Sequence, residues 1–301
     1  MSPDVPLHPA GRHYRRAGPR PLTLVLSFAA AIMVVLVAVT VAVIRPERTN
    51  VNGAPALAGI GPIGVMAGVG AGGEDGGIEG ILSRVSGYRV GVAVADTAGG
   101  AVRTFGDEAA FTAASTAKLI TAVAYLQRVE AGEARLDERL GSYTAAFQLE
   151  AMINNSNNDS WLLLMDRLGY RRLIQFAASI GVTYDPQDNR LTPEEMALVL
   201  TKLYSGELLN PVNTAQLLEY MTDTNNEELI PAAASAPGIT VYHKYGQLAG
   251  SLHDAALLRH RGATYALVIF TEGPDATDEA ERTQVIRDLT RTVVDALFPA
   301  A

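Results

Sequence analysis

The sequence predicts an α+β fold in which both ends of the folded region contribute strands to one antiparallel sheet and an all-helical subdomain is inserted between them. Three observations predict it: two strand segments come first, a long run of helical patterns follows, and three strand segments and a closing helix end the chain. Strand groups separated by a block of helices are typical of α+β folds. With 301 residues, the chain is long enough for this fold and an N-terminal extension.

Each predicted segment has a periodicity or a boundary signal of its own. The predicted helix 115–129 is apolar around most of its circumference, which indicates a central, buried helix. The predicted helix 192–205 opens on TPEE, a capping box with Pro at the first helical position, and ends at Gly206. The remaining segments are strands at 88–95, 101–105, 239–246, 253–259 and 264–270, and helices at 144–153, 159–168, 170–180, 211–222 and 277–297.

The composition excludes several classes of site. Because there is no cysteine, disulfides, zinc thiolates, iron–sulfur clusters and a cysteine nucleophile are excluded. The net charge of −8 argues against nucleic-acid binding, which needs a basic surface to neutralise phosphates. No cluster has metal-ligand spacing and no phosphate loop occurs, so neither a metal nor a cofactor is predicted. Only three of the 24 basic residues are lysines: Lys118, Lys202 and Lys244.

A membrane anchor is predicted before the folded domain. Residues 21–44 carry no charge and are long enough to span a bilayer as a helix. The more basic flank precedes them, so residues 1–20 are expected in the cytoplasm and the rest of the chain on the outer side of the cell membrane. A cleaved signal peptide is the alternative, but its apolar region is normally about 7–15 residues long with a small-residue cleavage site close behind.

The folded domain is expected at 78–301. Residues 45–77 are rich in glycine and are predicted to be a linker, because such a composition does not repay the entropy of ordering. A flexible tether of this kind would keep the domain near the membrane surface. Within the domain, the helical subdomain is predicted at about 112–236.

Ser115 and Lys118 form the first candidate catalytic pair. Their three-residue spacing at the start of the predicted buried helix puts both side chains on one face, roughly 5–6 Å apart at Cβ. Serine is a poor nucleophile until a base removes its proton, and a lysine whose pKa is lowered by desolvation can act as that base. A serine at a helix start is usually only a cap. Lys118 strengthens the functional interpretation, because a chain that otherwise uses arginine places here a residue that can lose its proton.

Two further motifs contain residues of the same chemistry. Ser156-Asn157-Asn158 lies in a polar stretch that either caps the next helix or supplies a hydroxyl for proton transfer and an amide for a substrate. Lys244-Tyr245-Gly246 lies near the end of a predicted strand and contains another of the three lysines. The remaining one, Lys202, is predicted on a helix surface without a special role.

Together the three motifs resemble those of the penicillin-recognising serine hydrolases, specifically class A β-lactamases and the related DD-peptidases. The family order is Ser-x-x-Lys, Ser-Asp-Asn and Lys-Thr-Gly, and here it reads STAK at 115–118, SNN at 156–158 and KYG at 244–246. The resemblance covers about residues 80–301. It implies a β-lactamase/transpeptidase-like fold, in which a helical domain packs on an α/β domain with the active site between them.

The resemblance also implies a role for each matching residue. Ser115 would be the acylated nucleophile, Lys118 its general base or proton relay, and Ser156 the donor of a proton to the leaving nitrogen. Lys244 would supply positive potential to Ser156 and to a substrate carboxylate. The backbone N–H groups of Ser115 and Gln247 would form the oxyanion hole. The other substrate-binding positions would be Asn158, Tyr245 and Gly246, and the substrate a β-lactam or a peptidoglycan-like peptide.

Three departures limit what the resemblance implies. Asn157 stands in place of the family's Asp, and Tyr245 in place of its small hydroxyl residue. The glutamate that activates the deacylating water in class A β-lactamases has no counterpart, because residues 159–191 contain no glutamate. Asp185 or Asp188 would have to replace it, but carboxylates in a polar turn are usually surface residues. Inefficient lactam turnover is therefore expected.

The first hypothesis is a membrane-anchored, exported serine hydrolase that is acylated at Ser115 and turns over β-lactams weakly. A peptidoglycan peptidase or an esterase with the same Ser–Lys pair is the second. A catalytically silent cell-envelope binding module is the third; the missing glutamate and Tyr245 favour it, whereas the retained lysines favour an enzyme because a binding scaffold needs no deprotonatable lysine.

A Ser-His-Asp triad is the remaining enzymatic alternative. His253 and Asp254 are neighbours in the sequence, but no Gly-x-Ser-x-Gly elbow occurs. Strand alternation directs His243 and Tyr245 away from the face of Lys244, so the histidines are interpreted as sheet residues.

Overall fold

A computed structural model describes residues 71–235 and 237–299 of the chain. The predicted cytoplasmic tail at 1–20, the predicted membrane anchor at 21–44 and most of the predicted linker lie outside these residues. Within the two described ranges, no helix is both long enough and apolar enough to cross a membrane. The described chain confirms the predicted α+β class with one antiparallel sheet built from both of its ends.

Five strands form the main sheet, in the order β2-β1-β9-β8-β7 with every neighbour antiparallel. Along the chain, the strands are β1 (Arg89–Asp96), β2 (Arg103–Gly106), β3 (Phe111–Thr112), β4 (Arg139–Leu140), β5 (Tyr143–Thr144), β6 (Arg190–Leu191), β7 (Thr240–Leu248), β8 (Ser251–His260) and β9 (Ala263–Glu272). The four two-residue strands pair separately, β3 with β6 and β4 with β5. Because β7 lies at the end of the main sheet, one of its edges is left to face another part of the molecule.

Helices cover both faces of the sheet. On one face lie the first and last helices, and on the other α6 packs across β1, β8 and β9. The helices are α1 (Ala71–Leu82), α2 (Lys118–Glu130), α3 (Ala145–Ile153), α4 (Asn158–Leu168), α5 (Tyr170–Ser179), α6 (Pro193–Tyr204), α7 (Pro211–Tyr220), α8 (Ile230–Ala233) and α9 (Glu279–Leu297). The capping box predicted at the start of α6 is present: Thr192 Oγ1 accepts from Glu195 N, and the Glu195 carboxylate accepts from Thr192 N.

Alternation along the strands divides the core into two layers. Val90, Val92 and Val94 of β1 pack into the layer that contains α1 and α9, whereas Ala93 and Ala95 pack into the layer below the helical subdomain. Because both faces are covered, the first eight residues of β8 are all buried, where a sheet with one solvated face would alternate.

The helix predicted at 115–129 begins with a tighter turn than expected. Residues 114–117 form a 3₁₀ turn, and α2 follows directly from Lys118. Every residue from Lys118 to Leu126 is buried, which confirms that this helix is central. Its first turn therefore lies inside the molecule, between the sheet edge and the other helices.

The start of the folded domain differs from the prediction, because α1 begins at Ala71, inside the range predicted to be linker. Gly77 allows close packing, because a Cβ there would lie 2.7 Å from Thr292 Cγ2 on α9. Ile78 is fully buried, and Asp75 forms an ion pair with Arg103 at 2.9 Å. Packing against α9 thus outweighs the low helix propensity of glycine. The sequence pattern shows only the low propensity, so it predicts a linker here.

Gly91 in β1 is a predicted weak point of this packing. A Cβ there would collide with the Asp107 carbonyl oxygen and lie 2.9 Å from Pro193 Cγ on α6. We expect Gly91→Ala to lower the free energy of unfolding by about 1–3 kcal/mol, because overpacking forces the sheet and α6 apart. Gly80→Ala is the matched control: Gly80 is helical, and no atom lies within 4 Å of the position that its Cβ would take, so it should gain about 0.5–1 kcal/mol. Urea unfolding measures both, and equal stabilities would contradict this packing.

Candidate active site

Lys118 lies at the centre of the candidate site, because four acceptors from the first two motifs surround its ammonium group. Its Nζ lies 2.9 Å from Ser115 Oγ and donates to Ser156 O at 2.7 Å and to Asn158 Oδ1 at 2.8 Å. Ser156 Oγ is 3.2 Å away. The 3₁₀ turn and the first residue of α2 hold Ser115 and Lys118 one turn apart. The segment between α3 and α4 carries Ser156, and the first residue of α4 is Asn158. The structure therefore brings together four of the residues that the motifs single out.

Burial makes Lys118 able to exchange a proton near neutral pH. The side chain is fully buried, and the loss of hydration lowers the pKa of Lys118 to about 8. The ring of Trp161 on α4 lies 5.1 Å from its Nζ and is fixed by a hydrogen bond from Trp161 Nε1 to Thr121 Oγ1 at 2.9 Å. Sequence reasoning missed Trp161, since an apolar aromatic at helical spacing is the ordinary signal of a core residue. With this pKa, Lys118 can accept the proton of Ser115.

Ser156 connects the two buried lysines. Its Oγ lies 3.2 Å from Lys118 Nζ and 3.0 Å from Lys244 Nζ, which reaches it from β7. Ser156 has a φ of +55°, a left-handed conformation that is uncommon outside glycine and costs about 1 kcal/mol or more. Such a conformation persists only where surrounding contacts impose it, and here both lysines bind the residue. The hydroxyl is thus held where it can pass a proton between them.

The ammonium group of Lys244 is in an environment that disfavours its charge. The side chain is fully buried, and its Nζ donates to Ser156 Oγ at 3.0 Å and to Tyr245 O at 2.9 Å. Burial, together with the charge of Lys118, lowers the pKa of Lys244 well below its ordinary value, while the Asp254 carboxylate acts in the opposite direction. The two lysines share one site, so each disfavours the charged form of the other.

The two asparagines of the second motif have different hydrogen-bond partners. Asn157 Oδ1 accepts from Ser160 N at 2.8 Å and so caps α4. This is the helix-capping interpretation that the polar stretch also allowed. Asn158 Oδ1 accepts from Lys118 Nζ at 2.8 Å while the residue remains exposed. Because its oxygen is bound to Lys118, the Nδ2 group is the part of Asn158 left to contact a substrate.

Gly246 allows the sheet edge to approach the nucleophile. A Cβ on Gly246 would lie 3.1 Å from Ala113 O and 3.2 Å from Ser115 N, tighter than most contacts of a real Cβ. The absence of a side chain therefore lets β7 run directly beside the Ser115 backbone. The next residue, Gln247, is exposed, and its side-chain Nε2 donates to Glu279 Oε2 at 2.8 Å. The oxyanion role of its backbone N–H stays a prediction.

Strand alternation predicts that the Tyr245 side chain points away from the face of Lys244, but the structure shows that it turns away only in part. It packs against the apolar layer that contains α1 and α9, yet Lys244 Nζ lies 4.1 Å from the centre of its ring. The ring therefore covers one side of the ammonium group, a contact that favours a cation. The reason for the difference is that the lysine side chain is long enough to curl back over the strand edge onto its neighbour.

His243 belongs to a buried ion cluster behind Lys244. Its Nδ1 lies 2.9 Å from Asp254 Oδ1, and its Nε2 lies 2.9 Å from Thr224 Oγ1 and 3.0 Å from Glu227 Oε1. Burial by itself lowers the pKa of His243, but the charges and hydrogen bonds of Asp254 and Glu227 outweigh it and raise the pKa to about 9. The imidazole is therefore charged at neutral pH, and neither of its nitrogens contacts a serine.

His253 is equally unsuited to a catalytic triad. It is fully buried, its Nε2 lies 2.7 Å from Thr112 O, and its Nδ1 accepts from Thr271 N at 3.1 Å. Burial lowers the pKa of His253 to about 4, so the ring is neutral. Both histidines are sheet residues, as the sequence indicates, and the hydrogen bonds of the described chain give the triad alternative no support.

The segment between α7 and α8, residues 221–229, ties the second motif to β7. Asn154 Nδ2 donates to Thr222 O at 2.9 Å, and Asn225 Nδ2 donates to Asn155 O at 3.0 Å. On its other side, Glu227 binds His243, the residue before Lys244. Sequence reasoning missed Asn225 and Glu227, because a polar segment without periodicity is typical of an ordinary loop. By binding both, the segment fixes the distance between the stretch that carries Ser156 and the strand that carries Lys244.

The loop between α5 and α6 lies where the resemblance places the deacylating glutamate. Asp185 Oδ1 accepts from Gln187 N at 2.8 Å, an ordinary turn contact, and Asp188 is exposed. The residue of this loop that contacts the nucleophile's own turn is Asn189: its carbonyl accepts from Ala113 N at 2.8 Å and its Nδ2 donates to Ala114 O at 3.2 Å. Sequence reasoning missed Asn189, which has no motif signal.

Comparison with known proteins gives a consistent family and fold. A family model described as the β-lactamase enzyme family matches residues 77–297. Among solved structures, PBP-A is 26% identical over 75% of this chain and 96% of its own, with a TM-score of 0.69. A mutant of PBP-A, solved as an acyl-enzyme complex with penicillin G, is also 26% identical, covers 74% of this chain and 96% of its own, and has a TM-score of 0.68.

Two β-lactamase structures extend the comparison. A mutant of the last common ancestor of Gram-negative bacteria class A β-lactamase is 27% identical, covers 76% of this chain and 100% of its own, and has a TM-score of 0.67. A β-lactamase from Xanthomonas campestris is 24% identical over 74% of this chain and 97% of its own, with a TM-score of 0.68, which is a likeness of fold. Curated protein sequences give no significant match.

The ion cluster around His243 predicts how stability depends on pH. Because the folded pKa of about 9 lies above the unfolded value of 6.5, the cluster's contribution is complete below pH 6.5 and is lost as the pH rises through 9. We expect unfolding free energy to fall by about 3 kcal/mol across this window relative to His243→Gln. Urea unfolding at several pH values measures the difference, and the comparison with the variant removes the contribution of the lysines. Parallel curves for the two proteins would contradict the charged state.

Proposed function

Because the chain belongs to the β-lactamase enzyme family, we propose that it is a serine hydrolase in which Ser115 is acylated by β-lactams or related amides. The observation that carries this proposal is the contact of 2.9 Å between Ser115 Oγ and the Nζ of Lys118, a fully buried lysine with a lowered pKa. A structural cap has no need of such a partner, whereas a serine nucleophile requires a base within hydrogen-bond distance.

The distances around Lys118 support the following course for acylation. Neutral Lys118 Nζ takes the hydroxyl proton as Ser115 Oγ forms a bond to the carbonyl carbon of the substrate. The tetrahedral intermediate carries its negative charge on the former carbonyl oxygen, which the N–H groups of Ser115 and Gln247 stabilise. The carbon–nitrogen bond then breaks, and the proton reaches the leaving nitrogen through Ser156 Oγ, which lies 3.2 Å from Lys118 Nζ. The product of this step is an ester on Ser115.

Lys244 sets the electrostatics of the relay. Its Nζ lies 3.0 Å from Ser156 Oγ and supports proton release from that hydroxyl. It also gives the site positive potential for a substrate carboxylate, although the Tyr245 ring at 4.1 Å covers one side of the ammonium group. Asn158 supplies its Nδ2 group to the amide side chain of the substrate, since its Oδ1 is bound to Lys118.

Deacylation is the slow step in this proposal. No glutamate occurs from 159 to 191, so the chain lacks the residue that would activate a water in this loop. Asp185 is occupied by its own turn and Asp188 is exposed. An acyl-enzyme that forms quickly and hydrolyses slowly is therefore expected, with weak β-lactam turnover as its consequence.

A peptidoglycan DD-peptidase or esterase is the second candidate. The missing glutamate favours it, because a peptidase can pass its acyl group to an acceptor other than water, and PBP-A, which this chain resembles, forms an acyl-enzyme with penicillin G as a mutant. A silent binding module of the same fold is the third. It is disfavoured by two buried lysines, whose desolvation would cost stability for no purpose.

Location in the cell membrane is part of the proposal and rests on the sequence alone. Residues 21–44 would anchor the chain, with residues 1–20 in the cytoplasm and the hydrolase domain outside it. There the domain would meet β-lactams and peptidoglycan peptides. Added protease should digest the domain in spheroplasts and leave it intact in inside-out membrane vesicles. The reverse result would contradict this orientation.

Mass spectrometry of the intact protein tests acylation directly. Mixing the protein with benzylpenicillin should add the mass of one penicilloyl group to wild type, and the adduct should persist because no deacylating glutamate is present. Ser115→Ala should stay unmodified, whereas Ser142→Ala, on the exposed turn between β4 and β5, should react as wild type does. Absence of an adduct together with absence of lactam hydrolysis would overturn β-lactam acylation and favour the peptidase or binding-module alternatives.

The pH dependence of acylation identifies the base. If neutral Lys118 removes the proton, the second-order rate constant should rise with pH through about 8 and fall about tenfold for each unit below it. Lys118→Arg should abolish the reaction, since arginine stays protonated. Lys202→Arg is the matched control, because Lys202 lies on α6 and pairs with Glu207, beyond the end of that helix, at 3.0 Å. A profile that is flat from pH 6 to 9 would contradict the role of Lys118.

A further inference from the structure

The loop between α5 and α6 is fastened to the residues immediately before Ser115. Backbone pairing of β3 with β6 aligns Phe111 with Leu191 and Thr112 with Arg190. Beyond this pairing, Ala113 N donates to Asn189 O at 2.8 Å. The Asn189 side chain continues the contact, since its Nδ2 donates to Ala114 O at 3.2 Å. Asn189 thus holds both residues that lead into the nucleophile.

Tyr184 fixes the orientation of the Asn189 amide. Its hydroxyl donates to Asn189 Oδ1 at 3.2 Å, so the Nδ2 end of the amide is the end that faces Ala114 O. Tyr184 is buried, and burial raises the pKa of its hydroxyl above the ordinary value, so the group stays protonated and remains a donor. The donor of each hydrogen bond is therefore fixed: Tyr184 donates to Asn189, and Asn189 donates to Ala114.

Ala114 needs such a partner because of its backbone conformation. Its φ is +49°, in the left-handed region that a residue with a Cβ rarely adopts. Asn189 has the same φ of +49°, but asparagine tolerates this conformation better than alanine does. The strain at Ala114 is of order 1–2 kcal/mol. A hydrogen bond on its carbonyl oxygen holds the peptide in this orientation.

The carbonyl of Ala114 and the N–H of Ser115 belong to the same planar peptide unit, in which they point in opposite directions. A bond that fixes Ala114 O therefore fixes the direction of Ser115 N–H. Within the described part of the chain this N–H has no hydrogen-bond acceptor. The backbone of Gly246 lies beside it, since a Cβ on that glycine would be 3.2 Å from Ser115 N.

We propose that Asn189 is a positioning residue that orients the Ser115 N–H toward the transition-state oxyanion by holding the carbonyl of Ala114 from behind. The proposal rests on the proposed acylation of Ser115 and adds to it a residue outside the three motifs. It also gives the short loop between α5 and α6 a role in acylation in place of deacylation. Asn189 touches neither the reacting atoms nor Lys118, so its effect is on the oxyanion and not on proton transfer.

Acylation kinetics of three variants test the proposal. Asn189→Asp keeps the acceptor for Tyr184 and tolerates the left-handed φ but loses the donor to Ala114 O; Asn189→Gly loses the whole side chain without backbone strain. Both should lower the plateau acylation rate constant with benzylpenicillin by roughly 10–100-fold, less than deletion of an oxyanion donor, while the dissociation constant of the first complex stays the same. Asp188→Asn, on the same loop and exposed, should react as wild type does.

Infrared difference spectra of the acyl-enzyme separate positioning from general destabilisation. The ester carbonyl stretch should move to higher wavenumber in both Asn189 variants, because a misdirected N–H polarises the carbonyl less. The plateau rates are compared at high pH, where Lys118 is neutral in every variant. A change in the pKa of Lys118 caused by the added aspartate then has no effect on the comparison. Variants that unfold more easily but keep the wild-type rate and carbonyl frequency would overturn the proposal.

An isotope-labelling measurement on the full chain needs no substrate. Labelling alanine carbonyls with ¹³C and serine amides with ¹⁵N selects the three Ala–Ser pairs of the sequence, at 114–115, 178–179 and 234–235, and Ser115→Ala identifies the first. Its amide signal should shift in both Asn189 variants while the other two stay in place. If wild type forms no acyl-enzyme, the proposed function fails, but the amide shift still tests whether Asn189 orients the Ser115 N–H. A Ser115 signal that does not move in the variants overturns the positioning role.

Discussion

Burial of two lysines around one serine hydroxyl is the constraint on which the rest of the structure depends. Lys118 and Lys244 are both fully buried, and each has its ammonium group within 3.2 Å of Ser156 Oγ. Two neighbouring cations without water repel each other strongly, and the conflict is relieved when one of them gives up its proton. Burial thus lowers the pKa of both lysines, and with a pKa of about 8 Lys118 can lose its proton close to neutral pH.

The surrounding fold supplies the contacts that keep this arrangement intact. Asp254 lies behind Lys244 and partly offsets its desolvation, while His243 balances that carboxylate. The segment 221–229 links the wall that carries Ser156 to the strand that carries Lys244. Polar residues that are satisfied in this way add rigidity, whereas a single missing partner would leave a buried charge uncompensated. The contacts that stabilise this part of the fold therefore also hold the residues of the candidate site in place.

Relative to the motifs of class A β-lactamases, the chain keeps the serines and lysines proposed for acylation and lacks a glutamate in the loop between α5 and α6. Ser115, Lys118, Ser156 and Lys244 lie together, whereas the loop between α5 and α6 contributes Asn189 to the nucleophile's turn and no glutamate. Acylation and deacylation use different groups, so one can be retained without the other.

The sequence by itself determined the α+β class, most strand and helix positions, and the three motifs, because periodicity, caps and residue chemistry are local properties. It did not reveal the helix at Ala71, since that helix packs closely against α9 at Gly77. Nor did it show the roles of Trp161, Glu227 and Asn189, because each contacts a site residue that is distant in sequence and none belongs to a motif. Only the tertiary structure decided the pKa of Lys118 and the approach of β7 to Ser115, because burial and close contact arise when distant segments pack together.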